Sequence, residues 1–174
     1  MSRIEAWLRG PVPGVPAELM PAAHALVDAG EEIEAAARGL APEQLWARPG
    51  GVASVGFHLR HVRGATERLL TYARGEALTE GQLAEGRREG EPGDPPAGVD
   101  ELLHALDRTV TVALDALCAI PPATLGDARA VGRKQLPSTV RGLVFHAAEH
   151  ARRHAGQVIV TARIVRGGAP SPPA

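Results

Sequence analysis

The chain has 174 residues, 44% hydrophobic and 22% charged, enough for one globular domain that folds without disulfides or a structural metal. A net charge of −1, scattered basic residues and an aromatic content of 3% exclude a nucleic-acid partner, which calls for a basic stripe or stacking platforms. The single cysteine, Cys118, excludes an internal disulfide framework and a Cys-rich zinc site, and the absence of an apolar signal or a run of about 18 apolar residues predicts a soluble cytoplasmic protein with no membrane partner.

Thirty-one residues are alanine, and Lys134 is the one lysine among the basic residues. Ala, Leu, Arg and Glu lose little side-chain freedom in a helix, so the composition predicts helices. The first runs from about Pro16 to Gly39. Its apolar stripe is Leu19, Ala23, Leu26, Ile33, Ala37 and Leu40, at steps of three, four or seven. A turn-rich loop, residues 41–51, follows. The second helix opens at Ser54 as N-cap and ends at Gly75, with Val55, Leu59, Val62, Thr66, Leu69 and Ala73 inward. Residues 76–98 are rich in Gly, Pro and Glu. They are expected to form an irregular, mobile linker, with a lid as the alternative.

The third helix spans Val99 to Ile120, with Leu103, Leu106, Val110, Ala113, Leu117 and Ile120 on one side and Pro121-Pro122 as terminator. Cys118 is expected to pack as a small hydrophobe. Residues 123–137 form an irregular connection, and the fourth helix starts at Ser138 as N-cap and reaches Arg166. The expectation is an all-α, four-helix bundle forming one domain over residues 1–168, with residues 169–174 a disordered tail. A long helical hairpin array is the competing architecture.

Chemistry concentrates in the histidines. His24 and His104 lie off the apolar seams and are expected at the surface. The fourth helix carries His146, His150 and His154 at four-residue spacing. Residues four apart differ by about 40° around an α-helix, so two such imidazoles can close on one ion. Three in series cannot, because the outer pair is separated by roughly 12 Å along the axis. Val140, Leu143, Ala147, Ala151 and Val158 mark the inward face, which favours His150 and His154 over His146. On the second helix, periodicity turns His58 inward and leaves His61 at the flank, so either can complete a three-histidine set. Buried histidines satisfied by hydrogen bonds, or a solvated basic face, are the competing explanation. The sequence shows no Ser-His-Asp arrangement and no Gly-rich phosphate loop before a helix.

The segments Ser54-Val55-Gly56-Phe57-His58-Leu59-Arg60-His61-Val62 and His150-Ala151-Arg152-Arg153-His154-Ala155-Gly156-Gln157 resemble the DinB-like superfamily of thiol-transferase-like four-helix-bundle metalloproteins. The resemblance implies a metal triad of His61, His150 and His154 and a divalent ion, zinc or nickel. It further implies a low-molecular-weight thiol cosubstrate such as bacillithiol, mycothiol or glutathione. The implied activity is thiol S-transfer to a small-molecule electrophile, or a related isomerisation, in a protein that can form homodimers. Under the same resemblance Gln157 hydrogen-bonds near the site, Gly156 permits close helix approach, and His146 is an outer or surface residue. Arg60, Arg152 and Arg153 are candidate substrate contacts, with solvated surface as the competing role. The competing functions are a non-catalytic metal-binding stress-response module and a metal-free helical dimerisation scaffold.

Overall fold

The structure, a computed structural model, describes residues 4–167. The tail expected to be disordered, residues 169–174, lies outside the described residues. In chain order the α-helices are α1 (Met20–Ala37), α2 (Pro42–Trp46), α3 (Val55–Ala73), α4 (Glu80–Arg88), α5 (Val99–Cys118) and α6 (Val140–Val165). Between the last two stands a hairpin of β1 (Ala128–Val131) and β2 (Leu136–Thr139). Its strands pair antiparallel in the register Ala128↔Thr139 to Val131↔Leu136. Among the described residues no helix is long and apolar enough to cross a membrane.

The four long helices, α1, α3, α5 and α6, make an all-α bundle. Helix α6 packs on α1 and on α3, and α5 packs on the other side of the same two helices. The chain therefore crosses the bundle end diagonally from α1 to α3 and again from α5 to α6. The apolar stripes predicted for α1 and α6 are buried throughout. The largest fully buried side chains include Leu26 and Ile33 of α1, Val55 and Leu59 of α3, Leu117 of α5, and Val144 and Val158 of α6. Their burial is the main force closing the bundle. Ser54 caps α3 as expected, its hydroxyl accepting from the Phe57 amide at 3.1 Å.

Five expectations need correction, the first being the loop expected over residues 41–51, where Pro42–Trp46 form α2. Residues 76–98 are not irregular throughout, because Thr79 and Gln82 form a reciprocal capping box that starts α4. Glu80 in the first turn and Arg87 and Arg88 in the last complement the helix dipole. The connection 123–137 contains the β-hairpin, which its Ala- and Arg-rich first strand does not advertise. The N-cap of α6 is Thr139, whose hydroxyl accepts from Gly142 at 3.0 Å, while Ser138 belongs to β2. Cys118 is exposed rather than packed; as the last residue of α5 it points away from the core side that Leu117 fills, with Sγ 3.7 Å from the Pro13 carbonyl.

Candidate metal centre

Helices α3 and α6 face each other, and each brings a pair of histidines to their seam. His58 and His61 are one turn apart on α3, and His150 and His154 are one turn apart on α6. One ring nitrogen from each of His61, His150 and His154 lies within 4.8 Å of the other two. Their rings meet with centroids 4.5 Å apart for His150 and His154, 4.7 Å for His61 and His154, and 4.9 Å for His61 and His150. His58 sits behind this group, 5% exposed, its Nδ1 2.9 Å from His154 Nδ1, so one of the two carries the bridging proton. Periodicity thus placed His58 correctly as the inward residue of α3 and His61 correctly at the flank.

The site favours neutral imidazoles. Burial, then the neighbouring His154 and His61, lowers the His58 pKa to about 4. Burial followed by the charges of His154, His61, His146 and Arg153 does the same for His150. His154 is also lowered to about 4, by burial, His61 and Arg153, against the opposing hydrogen bond of Gln157 and the charge of Glu89. A neutral imidazole offers a lone pair, which is what a divalent ion binds.

The donor set fits such an ion. His61 Nε2 and His150 Nε2 are 3.3 Å apart. Two nitrogens at zinc-ligand distance in a tetrahedral arrangement are also separated by about 3.3 Å. The three-histidine group can therefore hold a metal ion, and three protein donors leave a further coordination position open.

Two residues to which sequence reasoning gives no role complete the surroundings. Glu89, just past α4, is buried, and its Oε2 lies 2.6 Å from His61 Nδ1. Burial alone would raise its pKa, but the hydrogen bond from His61 and the adjacent Arg68 hold it below the ordinary carboxylate value. Phe57 stacks on His61, with ring centroids 5.1 Å apart and planes 12° from parallel. The Thr79-x-x-Gln82 capping signature could have revealed α4, but nothing in the sequence spacing pairs Glu89 with His61.

The remaining candidates stand as follows. His146 is half exposed at the outer edge, 3.4 Å from Glu149, with its ring 5.6 Å from that of His150. Arg60 donates to the carbonyls of Arg88, Glu91 and Pro92 and lies over the Trp46 ring at 4.9 Å, so it clips the chain after α4. Arg152 pairs with Glu32 at 2.8 Å and Arg153 with Glu149, both at the surface. Gly156 faces open space, so it mediates no close helix approach. His104 is exposed as expected, whereas His24 is half-buried and meets the Gly10 carbonyl at 2.9 Å.

The sequence pattern of the DinB superfamily matches residues 25–158, which takes in both histidine pairs. The fold is similar to that of a conserved protein of Enterococcus faecalis known from its crystal structure. The likeness has a TM-score of 0.67 at 18% identity, covering 84% of this chain and 96% of that one. At that identity it speaks for the fold alone. No curated protein matches the chain.

Proposed function

Because the chain belongs to the DinB superfamily, we propose that it is a divalent-metal-dependent enzyme that uses a low-molecular-weight thiol, as an S-transferase toward a small electrophile or as a related isomerase. The observation that carries this reading is the convergence of three imidazoles at one point, two of which, His150 and His154, are kept neutral by their surroundings. His61, His150 and His154 would hold the ion, zinc or nickel, and leave a position where a substrate sulfur can bind. A bound divalent ion would lower the thiol pKa from its usual value of about 8.5 and supply the thiolate near neutral pH. The protein's own residues would supply orientation: with His154 donating its Nδ1–H to His58, the lone pair of that ring is on Nε2 for the ion, and Phe57 supports the face of His61. A cytoplasmic location belongs to the same proposal.

The test uses the whole protein purified without chelators or nickel resin and assayed for metal. Bacillithiol, mycothiol and glutathione are then each added to the cobalt-substituted form and to the native form with monochlorobimane. A sulfur-to-cobalt charge-transfer band with one thiol, together with conjugate formation dependent on that thiol and on metal, is the expected result. A cobalt spectrum indifferent to every thiol would replace this reading with a non-catalytic metal-binding module. Absence of metal binding would return the histidines to packing.

A further inference from the structure

Glu89 is unusual in being a buried carboxylate supplied by the segment whose composition predicts a linker. Its side chain is 8% exposed and lies between two α3 residues, with Oε2 2.6 Å from His61 Nδ1 and Oε1 2.8 Å from Arg68 Nη2. His61 and Arg68 are seven residues apart and so lie on one face of α3, two turns from each other. Gly64 stands between them, and a Cβ there would come within 2.7 Å of both Arg68 Nη1 and Glu89 Oε1. The glycine therefore leaves room for the carboxylate to reach the helix.

An ionised carboxylate only accepts hydrogen bonds, so the Nδ1 that faces Glu89 must carry the proton. In the neutral ring the lone pair of His61 then resides on Nε2, the nitrogen 3.3 Å from His150 Nε2. We propose that Glu89 is a positioning residue of the metal centre: it fixes His61 as the Nδ1–H tautomer with Nε2 turned toward the ion, and Arg68 holds Glu89 in place. Helix α4 thereby becomes part of the metal centre without contributing a ligand. This inference rests on the reading of His61 as a ligand. The alternative is that Glu89 merely fastens α4 to α3, as the more exposed Arg63–Glu85 pair does at 2.7 Å.

Zinc is the probe, and the readouts are chelator-competition affinity and long-range proton–nitrogen NMR of the imidazoles. In zinc-loaded wild type, His61 is expected to carry its proton on Nδ1 and its metal on Nε2. Glu89→Ala is expected to weaken zinc binding by about 10- to 100-fold, the usual loss when the partner of a ligating histidine is removed. Glu89→Gln keeps an acceptor but loses the charge, so it should preserve the tautomer and lose less affinity than Glu89→Ala. Glu85→Ala should bind zinc as wild type does. Zinc on Nδ1 of His61 would overturn the proposal, and that measurement needs no variant. Unchanged affinity in a folded Glu89→Ala protein would also overturn it, as would an equal loss in Glu85→Ala. Wild-type protein that binds no zinc would overturn the metal-centre reading itself and this proposal with it, which separates the two failures.

Discussion

Imidazoles buried beside other imidazoles resist protonation, because each added charge is poorly solvated and repels the next. His58, His150 and His154, with pKa values of about 4 in the fold and about 6.5 when exposed, therefore take up protons more readily in the unfolded chain than in the folded one. Between those values the unfolded state binds more protons, so the stability of chelator-treated protein should fall as pH drops from about 6.5 to about 4. Denaturant titrations across that window measure it, and a flat profile would contradict the histidine environment described here. At the same scale, His61→Ala should lose most of the bound metal. His58→Ala leaves all three proposed ligands in place, although it opens a cavity and takes away the hydrogen-bond partner of His154, so it should weaken metal binding less than His61→Ala does. Plasma mass spectrometry reads both, with circular dichroism as the folding control. The reverse pattern would identify His58 as the third ligand.

Helix α4 shows how a local signal is hidden by composition. Nine residues with three glutamates or glutamines and two glycines bury nothing fully, and short isolated helices are marginal in water. The capping box at Thr79 and Gln82 starts the helix, and contacts with α3 keep it. Gln82 Nε2 donates to the Thr71 hydroxyl at 2.9 Å, Arg63 pairs with Glu85, and Arg68 with Glu89. Thr79→Ala removes the acceptor for the Gln82 amide, at a cost of about 1 kcal/mol to the helix. Hydrogen exchange should then quicken at the α4 amides and leave α6 unchanged. Equal protection of α4 in both proteins would show that the cap contributes nothing once α4 is docked.

For the molecule as a whole, stability and metal binding are separable. Side chains from all four long helices close a core that surrounds Leu26, Ile33, Leu59, Leu117 and Val158, and no residue of that set belongs to the histidine group. Removing metal with a chelator should therefore leave the helical circular dichroism in place, while lowering the melting temperature by the lost binding energy. Collapse of the helical signal on chelation would mean that the ion is structural, in the manner of a zinc finger.

Periodicity and punctuation were sufficient for the four long helices, because each must hide one apolar stripe and each stripe is written at helical spacing in Leu19 to Leu40, Val55 to Ala73, Leu103 to Leu117 and Val140 to Val158. The same rule made His150 and His154 neighbours, since residues four apart on a helix share a face whatever surrounds them. Which α3 histidine approaches that pair, and that the carboxylate behind it comes from Glu89, depends on how α3, α4 and α6 pack. Those contacts join residues 28 and 89 positions apart, and no local pattern records them. The Ala- and Arg-rich strand β1 was equally illegible, because a two-stranded hairpin is held by its partner strand and by Arg129 donating to the Ala73 carbonyl at the end of α3. Local spacing fixes what a helix presents; only packing decides what it is presented to.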